Sequence, residues 1–128
     1  MKPTNDCPVG ITLEMIGGKY KALILWHLSD RILRFSELKK LIPGATPKML
    51  TQQLRELEAH KLVHREVYPI IPPKVEYSLT ELGHSLMPVL VAMRDWGAEY
   101  LHSKDLQSNC IMMSNTITIG KKRKESTV

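Results

Sequence analysis

Apolar positions along this chain recur with two different periods, and the change of period places its elements. From Pro8 the spacing is helical. Ile11, Met15 and Ile16 share a face with Leu13 beside them, and Gly17-Gly18 breaks the run. Lys19 to Leu28 predicts a second helix striped by Tyr20, Leu23, Ile24 and Leu28. Its remaining surface is also fairly apolar, which places it near the centre of a core. Phe35 to Ile42 predicts a short third helix with Phe35, Leu38, Leu41 and Ile42 inward, ended by Pro43-Gly44. Thr46 has N-cap character. Pro47 suits the first helical position because its missing N–H would find no partner there. The fourth helix runs to about Ala59 on an inner stripe of Leu50, Leu54 and Leu57.

From Leu62 to Leu79 the period falls to two. Val75, Tyr77 and Leu79 alternate with Glu76 and Ser78, and Leu62 to Tyr68 is rich in β-formers. Pro69-Ile70-Ile71-Pro72-Pro73 between them cannot sit inside a sheet, because proline donates no ladder hydrogen bond. The segment therefore predicts a hairpin with a stiff, proline-lined tip. Thr80 is expected to cap one long last helix reaching about His102, with Pro88 as a kink. Leu82, Leu86, Val89, Leu90, Met93, Trp96, Gly97 and Tyr100 would form its broad apolar stripe. The pattern stops after Ser103. The expected organisation is one domain over residues 7–103 and a polar, mobile tail over 104–128. The fold class is mainly α with a small β-hairpin, that is, α+β.

Composition narrows the partners. The chain has 128 residues, of which 43% are hydrophobic but only 5% aromatic, a thin core that pairing would stabilise. The formal net charge of +5 favours a polyanion. No apolar run approaches the roughly 20 residues that cross a bilayer, and the first residues lack the apolar stretch of a secretion signal. Cys7 and Cys110 make no disulfide framework and fit a reducing cytosol. Gly-rich phosphate loops, CxxC and HExxH are absent, and the five histidines lack metal-ligand spacing, so neither an enzyme nor a cofactor is expected.

Two short helices joined by a Pro/Gly turn and followed by a two-stranded wing form the layout of a winged helix-turn-helix. An α-helix fits the major groove of B-DNA, and flanking elements hold it in register on the phosphates. Opposite the leucine stripe of the fourth helix lie Lys48, Thr51, Gln52 and Arg55, on one outward face. Arg can bond guanine and Gln adenine in bidentate fashion, and Thr can meet a thymine methyl or a phosphate. Thr46, Ser36 and Lys39, with Lys40 and Arg34 nearby, are candidates for backbone contacts. Arg65 and Lys74 flank the wing tip and suit the minor groove or its phosphates. Any one of these cations would serve equally as a solvated surface charge.

Four stretches carry a family resemblance: CPVGITLEMIGGKYKALILWHL, RFSELKKLIPGATPKMLTQQLRELE, LVHREVYPIIPPKVEYSLTELGHSL and PVLVAMRDWGAEY. Together they span nearly all of residues 7–100, and IGGKY, MLTQQLREL and VEYSLTELG in that order are highly specific. The chain resembles the HxlR-type family of bacterial winged helix-turn-helix regulators. That resemblance implies a cytoplasmic, nucleoid-associated homodimer on pseudo-palindromic double-stranded DNA, with no membrane partner. Its first and last helices would pair through Ile11, Met15, Leu90, Met93, Trp96 and Tyr100. Two departures stand out. Tyr20 replaces a tryptophan often found after GGK, and Ile70-Ile71 makes an unusually apolar wing tip.

Cys7 directly precedes Pro8 at the start of the first helix, where the helix dipole would lower a thiol pKa, with Asp6 opposing. The resemblance implies that a cysteine in this position senses an oxidant or a small electrophile. A small partly buried residue without a sensing role is the plain alternative. A regulator that answers a small ligand through an apolar pocket, without thiol chemistry, is the competing functional reading. A winged fold used for protein contacts alone is another, and salt-titrated DNA binding separates it.

Overall fold

The computed structural model describes residues 7–104. Asp6, Cys110, the Ile111-Met112-Met113 run and the basic run Lys121 to Lys124 lie outside the described residues. The helices α1 (Pro8–Ile16), α2 (Lys21–His27), α3 (Phe35–Leu41) and α4 (Pro47–Ala59) precede a hairpin of β1 (Val63–Tyr68) and β2 (Lys74–Leu79). Two further helices, α5 (Glu81–Ser85) and α6 (Met87–Ser103), complete the order. The described residues fall into two compact units that divide between Leu86 and Met87.

In the first unit the leucine stripe of α4 is fully used. Leu50, Leu54 and Leu57 are at most 2% exposed. They join Ile24, Leu25 and Trp26 of α2, Leu38 of α3, and Leu62 and Val63 at the start of the wing, all buried. Thr46 caps α4 as the sequence predicts: its Oγ1 accepts the Met49 N–H at 3.1 Å, and Pro47 opens the first turn. The helix closes on Lys61, whose φ of 64° lies in the left-handed region. Lys61 N–H donates to the Glu58 carbonyl and Leu62 N–H to the Leu57 carbonyl, both at 3.0 Å. This is the Schellman pair of bonds that satisfies a helix's last carbonyls.

β1 and β2 pair antiparallel, with Val63 opposite Leu79 and Tyr68 opposite Lys74. The alternation sorts the wing into two faces. One carries Val63, Arg65 and Val67 opposite Leu79, Tyr77 and Val75. The other is polar and largely self-bonded: His64 meets Glu66 at 2.8 Å, and Lys74 meets Glu76 at 3.4 Å. Leu33 adds a bridge to Tyr77, exchanging both backbone hydrogen bonds at 3.0 and 2.8 Å. Neither that bridge nor its position between helices is visible in the alternation of the sequence.

The single long C-terminal helix expected from Thr80 is instead two helices. Thr80 does cap a helix, accepting the Gly83 N–H at 3.0 Å and donating to the Lys61 carbonyl at 2.6 Å. A Cβ on Gly83 would run into the Leu62 carbonyl, so glycine is what lets α5 approach the wing so closely. That helix ends at Ser85 and α6 starts at Met87. The physical reason is Pro88, which has no N–H to give the carbonyl four residues back and whose ring would clash there. In the first turn of a fresh helix neither defect costs anything.

In the second unit, α6 buries Leu90 and Val91 and exposes Met93, Trp96 and Tyr100 at 49%, 71% and 49%. Trp96 and Tyr100 are one helical turn apart and stack, with centroids 5.7 Å apart and planes within 5°. Leu90, expected to face a second copy, is 0% exposed.

A candidate DNA-binding helix and its supports

The outward face of α4 is built as its spacing predicts. Lys48, Gln52 and Arg55 are exposed and Thr51 is half-buried, on the side away from the buried leucines. Ser36 on α3 is exposed and Lys39 half-buried. Glu37 reaches back to accept the Arg34 N–H at 2.8 Å and so fixes the start of α3. On the wing, Arg65 is exposed. Lys74 is half-buried, bonded to Glu76 and lying over the Tyr68 ring at 4.9 Å from its centroid. Lys74 therefore helps hold the hairpin together. The wing tip exposes Ile71 completely and Ile70 by 54%.

Three long-range bonds, none of them visible to sequence reasoning, fasten α4 and the turn before it to Tyr20 and to Lys21, the first residue of α2. Gln53 Oε1 accepts the Tyr20 N–H at 2.8 Å, occupying a donor that no turn of α2 could satisfy. Tyr20 Oη donates to the Gly44 carbonyl at 2.9 Å, in the turn just before α4. Lys21, only 4% exposed, reaches Glu56 with Nζ 2.6 Å from Oε1. A Cβ on Gly18 would stand 2.9 Å from Gln53 Oε1, so the second glycine leaves the space this joint needs. Glu56 also accepts from Gln52 Nε2 at 3.3 Å. Its carboxyl is held below the usual range, first by the Lys21 hydrogen bond, with help from Gln52.

Cys7 is the N-cap of α1, exposed, with Pro8 following in the first turn. The backbone N–H groups of Gly10 and then Val9 lower its thiol pKa, against a small opposing effect of desolvation. That is the environment expected of a helix N-terminus. The two α1 residues expected to pair, Ile11 and Met15, are half-buried, whereas Val9 and Leu13, which were not expected to pair, are 68% and 59% exposed. Among the described residues, no group of three or more His, Cys, Asp or Glu side chains could hold a metal ion. None of their helices is long and apolar enough to cross a membrane.

The family model for HxlR-like helix-turn-helix proteins matches residues 15–105. This chain belongs to that family. It is 57% identical over 96 residues to the HTH-type transcriptional regulator YdeP of Bacillus subtilis (strain 168), covering 75% of each chain. Among solved structures it is similar to the redox regulator HypR in its oxidized form. That likeness has 53% identity and a TM-score of 0.69, covering 73% of this chain and 96% of that one. It is also similar to the reduced form of the transcriptional regulator YodB from B. subtilis, at 36% identity and a TM-score of 0.64, over 75% and 95% of the two chains. The fold is thus a winged helix, and the protein is a DNA-binding transcriptional regulator.

Proposed function

We propose that this regulator binds pseudo-palindromic double-stranded DNA as a homodimer, with α4 in the major groove and the wing on the neighbouring backbone or minor groove. The observation that carries the reading is the division of α4: three fully buried leucines opposite an outward Lys48, Thr51, Gln52 and Arg55. Arg55 and Gln52 read base edges. Lys48, Thr46, Ser36, Lys39 and Arg65 hold phosphates, and Lys74 acts mainly by bracing the wing. The exposed stacked pair Trp96 and Tyr100, with Met93, gives α6 an apolar strip for a second copy to cover. On α1, Val9 and Leu13 offer a second such surface, with Ile11 and Met15 at its edge. A two-fold dimer would place its recognition helices about one DNA turn, ~34 Å, apart. The compartment is the cytoplasm.

Cys7 is the proposed point of control. An exposed thiol with a lowered pKa at a helix N-terminus is more thiolate than an ordinary cysteine, and the thiolate is the species that oxidants and electrophiles attack. The structural relatives include a redox regulator, which supports the same reading.

The test is selection from a pool of random duplexes, followed by salt titration of binding to the enriched sequence with and without diamide. A log–log salt slope near −0.9 for each phosphate contacted is expected, with diamide changing affinity for wild type but not for Cys7→Ser. A flat salt dependence refutes DNA binding. An undiminished diamide response in Cys7→Ser refutes the sensing role alone.

A further inference from the structure

We infer that Glu56 is a positioning residue for base reading: anchored by the buried Lys21, its carboxylate orients the side-chain amide of Gln52 on the outer face of α4. The inference rests on the proposed entry of α4 into the groove. Gln52 and Glu56 are one helical turn apart, so their side chains meet. Each carboxylate oxygen has its own partner. Oε1 takes the Lys21 ammonium at 2.6 Å, and Oε2 takes the Gln52 amide at 3.3 Å. The Lys21 side chain is 6% exposed and that of Glu56 44%, so the ion pair runs from the core to the rim of the candidate interface.

Two consequences follow for recognition. The first concerns charge. A lone carboxylate beside a DNA-reading face would repel phosphate, and the cation 2.6 Å away offsets that charge from the protein side. The second concerns orientation. An ionised carboxylate only accepts, so only the NH₂ end of Gln52 can face it. The carbonyl oxygen and the second N–H of the amide are then left for the groove in a set order. Adenine is read by one acceptor and one donor in a defined order, and an amide free to flip presents both orders. Lys21 lies in the GGKYK segment, far in sequence from the helix that it thereby tunes.

The experiment uses the full chain and one enriched duplex taken from a random pool. Its probes are that duplex, each of its single-base-pair substitutions, and a random-sequence duplex of equal length. Gln52→Ala locates the base pair that Gln52 reads. Glu56→Ala is then expected to lose about 2- to 10-fold discrimination at that pair, the cost of re-immobilising a freed side chain. Discrimination elsewhere and affinity for random sequence stay within about 2-fold. If Glu56→Ala leaves the buried Lys21 too costly to fold, Lys21→Met with Glu56→Ala removes both charges, and the same loss at the same pair is expected. In the free protein, the Gln52 side-chain amide resonances should move on Glu56→Ala while those of Gln53 stay. Unchanged discrimination at that pair, an equal loss at every position, or no base preference assignable to Gln52 overturns the inference and leaves DNA binding intact. Failure of the wild type to enrich any duplex overturns the α4 reading itself, and the inference with it.

Discussion

His27 makes stability depend on pH in a way the structure lets one bound. The residue lies in the last turn of α2 and is 2% exposed, and neither ring nitrogen has a hydrogen-bond partner among the described residues. Burial pushes its pKa below 6.5, and the Arg31 guanidinium, whose Nε donates to the His27 carbonyl at 3.3 Å, adds to the effect. The folded state therefore resists a proton that the unfolded chain accepts. Stability contributed by neutral His27 is whole above pH 6.5 and is lost as pH falls below it, until the folded state protonates as well. At about 1.36 kcal/mol per pH unit for one proton, the 1.5 units from 6.5 down to 5.0 cap the loss at about 2 kcal/mol. His27→Leu removes both orphaned nitrogens from a buried site, so at pH 7.5 it is expected to be at least as stable as wild type. Urea unfolding at pH 7.5 and 5.0, at one fixed protein concentration so that any self-association contributes equally, measures both chains. Wild type should lose up to about 2 kcal/mol more than the variant over that interval. Parallel losses would mean that His27 already protonates in the fold, and the reasoning would fail.

Three further outcomes are expected. Lys61→Gly relieves a left-handed lysine at the end of α4, worth about 1–2 kcal/mol, against the added flexibility of glycine. A net gain of about 0.5–1 kcal/mol should appear as a raised urea midpoint with unchanged m-value. Tyr20→Phe removes the bond to the Gly44 carbonyl and should cost about 1 kcal/mol, a fall of about 4–8 °C in thermal midpoint by calorimetry. Arg55→Ala should weaken binding to an enriched duplex by about 1–3 kcal/mol and to random sequence very little. Equal loss on both would make Arg55 a phosphate contact.

Periodicity carried the helices of the first unit where each buries one face, because a buried face imposes its repeat on the sequence. Leu50, Leu54 and Leu57, at most 2% exposed, are the direct instance, whereas the alternation of Val75, Tyr77 and Leu79 marks one side of a hairpin whose second strand is half-buried throughout. Punctuation was legible where a residue type has one backbone use, as with Thr46, Pro47 and Thr80. It misled at the last helix. The stripe from Leu82 to Tyr100 reads continuously across Leu86, yet Pro88 imposes a break, because apolar spacing says nothing about the backbone hydrogen bonds that a proline removes. The same stripe could not tell Leu90, 0% exposed, from Trp96, 71% exposed.

What periodicity could not reveal is how α4 is held. The Tyr20–Gln53 and Tyr20–Gly44 bonds join residues 33 and 24 positions apart, and a single polar pair at such a distance leaves no repeat behind. In the sequence, Gln52 and Gln53 are equivalent neighbours. In the fold one faces outward against Glu56 and the other turns in to accept the start of α2. Because successive helical residues point about 100° apart, only one of the two can lie on the outward face, and the leucine stripe already decides which. Of the three motifs that carry the family resemblance, IGGKY and MLTQQLREL read as separate in the sequence. The structure gives them one physical cause: Gly18, Tyr20 and Lys21 are the receptacle, and Gln53 and Glu56 are the plugs. Changes at either end should therefore be coupled. A Tyr20→Phe, Gln53→Ala pair should fall short of the sum of its two single losses, because both groups pin the same helix to the same joint.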